Sequence, residues 1–324
     1  MSSITNRHDI LILFDVANGN PNGDPDAGNM PRIDPNTGKG IVSDVCLKRK
    51  VRNYVEMFPP TGSAENGNLF NILIRQGAVI NKQIGKGLEE AKKVSPSSKE
   101  DQQRKVKEWL CRNFFDVRTF GGVLSTGDDV MKGSAHGQVR GPVQFTFGQS
   151  YHPITPLEIT ITRCAVTKEE DVGKERTMGR KHIVPYALYS AKCYISPVFA
   201  DADRGTGFTE EDLDVFFRAL TDMFTHDHSA ARGEMTIRGI YDFEHVGTQH
   251  PNNAEQNKRE ARLGCCHAHK LFDGIQVKLR EGRELPESYG DYDITCLWEE
   301  EALPTGVRLH LRHEQPIRTI CPAL

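Results

Sequence analysis

Residues 8–16, HDILILFDV, form a short apolar run stopped by an Asn/Gly/Pro stretch, a pattern that predicts a buried strand. The stretch itself, ANGNPNGDPDAGN over 17–29, holds too many turn formers to be anything but a loop. From about 44 to 58, Leu47, Val51, Tyr54, Val55 and Phe58 recur at helical spacing, with Ser43 or Asp44 as the cap. Residues 59–113 change character to Gly/Ser/Asn-rich segments broken by one charged helix, SKEDQQRKVKEWLCRNFF, and read as an insertion between core elements. The core resumes at DVRTFGG, 116–122, followed by a Gly-rich stretch to Gly148. Two extended runs, 158–167 and 183–199, flank the polar and basic segment 168–182, which predicts a protruding hairpin.

Thr209 and Asp212 are spaced like a variant capping box. Leu213, Phe216, Phe217, Leu220, Met223 and Phe224 behind them form an apolar stripe, so a helix is expected over 209–225. Strands are expected at 235–243 and, half exposed, at 307–313. This order suits an α+β fold with two helices on an antiparallel sheet, the split βαβ arrangement found in RNA-recognition modules. Internal repeats and low-complexity tracts are absent from the sequence.

Composition narrows the class. The 324 residues are 37% hydrophobic and 26% charged, ordinary for a globular protein with one large core or two smaller ones. No apolar stretch approaches the roughly 18 residues of a membrane span. The N-terminus lacks the layout of a secretory signal, so the expected address is cytoplasmic. Eight scattered cysteines without C-x-x-C spacing are expected to be reduced, and the Cys265-Cys266-His267-Ala268-His269 cluster has poor geometry for zinc. A net charge of −3 excludes a protein that is basic all over but leaves room for a local basic patch.

Three constellations carry candidate chemistry. Lys48, Arg49, Lys50 and Arg52 crowd the first helix, either as a solvated face or as a ridge for phosphates. The loop before it, with Asn18, Asn20 and Asn22, is either a structural turn or an anion cradle. At the hairpin tip Met178 lies among Arg176, Arg180 and Lys181, either a charged loop of no consequence or an apolar wedge between bases. Catalytic signatures are thin: no phosphate-binding Walker loop, nucleophile elbow or H-E-x-x-H appears. His226-Asp227-His228 is expected to serve a helix end. Asp24/Asp26 and Asp128-Asp129 lack the partners of a two-metal site.

The stretches FDVANGNPNGDPDAGNMPRID (14–34), VSDVCLKRKVRNYV (42–55), DVRTFGG (116–122), MGRKHIVPYALY (178–189) and SAARGEM (229–235) resemble a known family. It is the large repeated backbone subunit of the Cascade complex of type I CRISPR systems, closest to the type I-C branch. The resemblance implies an RNA-recognition-like (ferredoxin-like) palm forming a single domain over 1–324. It also implies a helical insertion at 59–113 and a β-hairpin thumb with flanking strands at 158–199. It further implies that Asn18, Asn20, Asn22, Lys48, Arg49, Lys50 and Arg52 hold the guide RNA, joined by Arg118, Phe120 and Arg140. Arg176, Met178, Arg180 and Lys181 would act from the thumb, Met178 as the wedge.

The implied partners are the CRISPR guide RNA, the target DNA strand, and copies of the chain stacked head to tail. Other Cascade subunits would cap the filament, and a helicase-nuclease would be recruited. No catalytic residue, cofactor or metal is implied. Two further classes stay open: a metal-dependent RNA endonuclease built on the loop aspartates, and a solitary single-stranded-RNA-binding module.

Overall fold

The computed structural model describes residues 3–61, 67–125, 131–166, 168–171, 178–250, 252–299, 302–312 and 318–320. Its first half runs β1 (Arg7–Gly19), β2 (Lys39–Val42), α1 (Asp44–Met57), α2 (Ile80–Lys93), α3 (Lys99–Asn113) and α4 (Phe115–Phe120). Next come β3 (Val143–Phe145), β4 (Gly148–Pro153), β5 (Leu157–Thr162), β6 (Met178–Ile195), α5 (Glu210–Asp222) and β7 (Glu234–His245). The chain closes with α6 (Ala254–Leu263), α7 (Ala268–Asp273), β8 (Ile275–Leu279), β9 (Tyr292–Cys296), β10 (Val307–Leu311) and β11 (Arg318–Ile320).

β1 pairs antiparallel with β6 on one side and β7 on the other. The main sheet runs β11-β10-β7-β1-β6-β4-β2, with β3 and β5 also paired to β6. The unbroken apolar run of β1 has a physical cause, since the strand is covered on both faces. Ile10, Ile12, Phe14 and Val16 enter a core with Leu47, Val51 and Val55 of α1 and Leu213, Phe216 and Leu220 of α5. Leu11 and Leu13 point to the other face, where Phe243, Leu271, Phe272 and Leu309 close over them. A third cluster joins α2 and α3 through Ile84, Ala91, Val106 and Leu110. No helix among the described residues is long and apolar enough to cross a membrane.

The mixed fold with a central antiparallel sheet is as expected, and several details differ. β1 extends through Asn18 and Gly19, so the loop begins later than its turn formers suggest. α2 was not anticipated because Gly85 and Gly87 interrupt its sequence. At Gly87 an added Cβ would come within 3.0 Å of the Trp109 ring, so the glycine allows α2 and α3 to approach. The expected strand at 183–199 starts at Met178 and stops at Ile195, and Pro197–Ala200 is a helical turn. Phe58, expected in the α1 stripe, lies past the helix and is 46% exposed. The β8–β9 hairpin, half exposed and weakly patterned, was also missed. The helix at 209–225 is borne out over Glu210–Asp222, with Thr209 and Asp212 forming the capping box. The seven cysteines among the described residues are free thiols.

Candidate nucleic-acid interface

The end of β1 and the start of α1 are tied together by asparagines. Asn18 takes a positive φ of 49°, which asparagine tolerates better than most residues, and interrupts the pairing of β1 with β6 just before its last residue, Gly19. Asn20 donates its amide to the Asn29 carbonyl at 2.7 Å. The Asn22 side-chain oxygen accepts from both the Ser43 amide (2.9 Å) and hydroxyl (2.8 Å). Ser43 therefore holds the loop instead of capping α1 with its side chain. The loop is thereby fixed over the first turn of the basic helix.

The four cations of α1 have separate fates. Lys50 is 3% exposed and paired with Asp227. Arg52 is 9% exposed, donates through Nε to Asp116 at 2.9 Å, and lies over the Phe120 ring at 5.2 Å. Lys48 pairs with Asp44 one turn back at 2.9 Å and sits 5.9 Å from the same ring. Arg49 is exposed, and no carboxylate among the described residues pairs with it. Asp116 also accepts the Leu73 and Ile74 amides at 2.8 and 3.0 Å, which draws the segment after Phe70 against α1.

Arg118 departs from expectation. It is 0% exposed and forks onto Asp212 at 2.9 and 2.6 Å, with a further bond to the Cys111 carbonyl at 2.6 Å. It joins the end of α3 to the start of α5 and cannot reach a ligand in this arrangement. Phe120 lies beneath the α1 cations. After it Gly121, at φ 75°, passes so close to the facing strand that a Cβ would sit 2.1 Å from the Val139 carbonyl oxygen. Only glycine fits there. Arg140 is exposed and stacks over Phe199 at 4.3 Å, outside the groove described next.

These pieces line one open groove of about 1220 Å³. Its walls come from 20–29, α1, the 74–76 segment, 120–122 and 227–232, with Arg32 between the first two. The lining holds seven cations, Arg32, Lys48, Arg49, Lys50, Arg52, Arg75 and Arg232, and one carboxylate, Asp227, while Asp24, Asp44, Asp116 and Glu56 from outside the lining pair with Arg32, Lys48, Arg52 and Arg75. Arg32, Arg75 and Arg232 were not singled out in the sequence, because each is a lone cation in a loop. Cys46 also lines the groove, and burial pushes its thiol above the ordinary range, so it stays protonated.

The hairpin is a separate feature. Met178 is 69% exposed, Arg180 pairs with Glu158 at 2.8 Å, and Lys181 is half-buried. None of the three lines the groove, and Arg176 lies outside the described residues. The candidate acidic and histidine groups are engaged elsewhere. Asp24 takes the Asp26 amide at 3.2 Å and Arg32 at 3.4 Å. His228 bonds the Gly233 carbonyl at 3.1 Å, while His226 packs at a tilt against Phe58. Asp128 and Asp129 lie outside the described residues. Among the described residues no group of three or more His, Cys, Asp or Glu is placed to hold a metal ion.

Chemically, the arrangement can hold a polyanion: charge-assisted donors line an open channel whose bound carboxylates leave a cationic excess. An α+β protein with a cationic groove along its first helix is the class that fold and site define. The chain belongs to the family described as CRISPR-associated protein Cas7, which it matches over residues 6–297. A curated relative, the CRISPR-associated protein Cas7 of Haloferax volcanii (strain ATCC 29605 / DSM 3757), is 29% identical over 170 residues. That match covers 47% of this chain and 45% of the relative, so it spans less than half of each. Among solved structures, a chain of a CRISPR RNA-guided surveillance complex in a pre-nicking state is similar at a TM-score of 0.43 and 14% identity. It covers 73% of this chain and 78% of that one. A chain of the type III-B Cmr-beta complex bound to cognate target RNA has a TM-score of 0.40 at 11% identity, covering 72% of this chain and 60% of that one.

Proposed function

We propose that this chain is a non-catalytic backbone subunit of a type I CRISPR interference complex, of the I-C branch, that coats guide RNA and presents it to target DNA. The observation that carries this is the convergence of segments far apart in sequence on one groove lined by seven cations, which five carboxylates only partly offset and which leaves Arg49 without a pairing carboxylate among the described residues. That local excess stands out in a chain of net charge −3. Each cation that meets a phosphate releases a counterion, giving affinity without sequence reading. The bases are then free to pair, and ordering the strand in advance lowers the entropic cost of the heteroduplex.

The strand order β7-β1-β6-β4, with α1 following β1 and α5 between β6 and β7, supports an RNA-recognition-like (ferredoxin-like) palm. Residues 59–113 are then its helical insertion and 158–199 its thumb, within one domain spanning 1–324. Copies stack head to tail, a heterologous contact that extends into a filament. Met178 wedges between guide bases, with Arg180 and Lys181 on phosphates. Other subunits cap the filament, and a helicase-nuclease cuts the target.

The test is binding of a fluorescent single-stranded RNA with and without Mg²⁺, by the wild type and by the Arg49→Ala/Arg75→Ala/Arg232→Ala variant. Intact RNA and a clear loss of affinity in the variant are expected. Equal binding by the variant contradicts the proposal, and RNA cut only with Mg²⁺ assigns a nuclease instead.

A further inference from the structure

Next to the groove, the end of α1 carries a group of rings that phosphate binding does not use. Tyr54 and Phe58 are one turn apart, with ring centroids 5.4 Å from each other. His226, just past α5, closes on Phe58 at 4.8 Å with the planes 45° apart. Phe58 is nearly half exposed and His226 is exposed, whereas Val55 on the same helix is fully buried. The Tyr54 hydroxyl reaches Asp222 at 3.4 Å, which orients the innermost ring.

The position of these rings matters as much as their exposure. Asn53 and Asp227 both line the groove, and they are the chain neighbours of Tyr54 and His226. The rings therefore lie beside the edge of the groove. Charge of both signs borders them, Asp222 and Asp227 as well as two arginines. Arg218 of α5 is exposed and within electrostatic reach of the Tyr54 hydroxyl, and Arg232 pairs with Asp227 at 3.7 Å. A purely apolar patch would suit a protein partner. Rings beside a groove lined by cations suit a flat aromatic group joined to phosphates.

We propose that Tyr54, Phe58 and His226 form a stacking platform for one base of a single-stranded RNA at the point where the strand leaves the groove. This rests on the groove being an RNA site, and adds to it a contact of different physics. Stacking on a ring tolerates any base, because every base has a π face. It also displaces no counterion, so it is separable from the phosphate contacts by its salt dependence.

The experiment uses the full chain and short single-stranded RNAs carrying 2-aminopurine at successive positions. Affinity and fluorescence are measured across a salt series for the wild type, Phe58→Leu, Phe58→Trp and Arg49→Ala. Phe58→Leu keeps apolar bulk and removes the ring, and a thermal melt checks that each variant is folded. One 2-aminopurine position is expected to be quenched in the wild type. Phe58→Leu is expected to relieve that quenching and weaken binding roughly tenfold with the salt slope unchanged, and Phe58→Trp to restore both. Arg49→Ala is expected to lower the slope and keep the quenching of bound strands.

Wild-type affinity and quenching in Phe58→Leu overturn the platform and leave the groove standing. Self-association lost in Phe58→Leu, with RNA affinity unchanged, overturns it in favour of a second copy of the chain on these rings. No RNA binding by the wild type overturns the groove assignment and the platform together.

Discussion

Arg118 and Asp212, 94 residues apart, meet through paired hydrogen bonds of 2.9 and 2.6 Å with neither side chain more than 1% exposed. Asp212 also accepts the Thr209 amide at 2.9 Å, so one carboxylate caps α5 and neutralises a buried guanidinium. Removing either partner strands the other charge in the core. Arg118→Ala is expected to cost about 3–5 kcal/mol of unfolding free energy, read from urea melts. A variant that melts like the wild type would show that the pair is not what joins α3 to α5.

Arg49 is the contrasting case. Exposed and without a pairing carboxylate among the described residues, it should do nothing for stability and much for the groove. Arg49→Ala is expected to leave the melting temperature within about 1 °C. The slope of log affinity against log salt should fall by about 0.7, one phosphate contact on a single strand. An unchanged slope would remove Arg49 from the interface.

Lys50 and Asp227 test whether the groove wall is held by buried charge. Lys50 lies almost out of solvent against Asp227, which draws 227–232 to α1. Asp227→Asn is expected to destabilise the fold by about 3 kcal/mol, since it leaves a buried ammonium unpaired. Lys50→Met, which removes the charge and keeps the volume, should be milder. Urea melts of both variants give the order, and the reverse order would contradict the pairing.

A pH dependence follows from the α5 side of the sheet, at the start of β1. Burial alone would lower the His8 pKa, but Asp242 at 2.8 Å and the nearby Glu244 raise it above its ordinary 6.5. Burial would raise Asp242, yet His8 and Arg312, the latter at 2.7 Å, hold it below its ordinary 3.8. A hydrogen bond from His310 holds Glu244 below its ordinary 4.5. The histidine's contribution is complete below pH 6.5 and is lost as pH rises through its folded value. The carboxylates' contribution is complete above pH 4.5 and is lost as pH falls through theirs. Stability from this cluster should therefore peak between these values, and the urea midpoint should fall from pH 6 to pH 8. A midpoint that stays flat or rises over that interval in the wild type, or one that falls equally in Asp242→Asn, would contradict the assignment.

β1, α1 and α5 were legible because each has a periodic apolar set, and α5 because Thr209 and Asp212 stand at cap spacing. The loop–helix cradle was legible as composition, asparagines and glycines ahead of a run of cations. What the sequence does not carry is which cation meets which carboxylate. Arg118 looks like its exposed neighbours in type, and only the approach of Asp212 from 94 residues away makes it a core residue. Lys50 depends in the same way on Asp227, 177 residues on. Arg32, Arg75 and Arg232 gain meaning only when the fold gathers them. α2 and the β8–β9 hairpin stayed hidden because glycine in one and half-exposure in the other blur their periods.

The hairpin carries its own prediction. Met178 is 69% exposed, so Met178→Ala should leave the melt unchanged. As a wedge between bases, it should impose a regular pattern of enhanced chemical reactivity on bound RNA, and Met178→Ala should weaken that pattern at similar affinity. Reactivity without any period in the wild type would remove the wedge.

Head-to-tail stacking requires that copies of this chain add along an RNA strand. It is tested most directly by measuring the mass of complexes formed by the purified protein on single-stranded RNAs of increasing length. Mass is expected to rise in whole-subunit steps with length, on RNA that stays intact. A constant one-to-one complex at every length would contradict it.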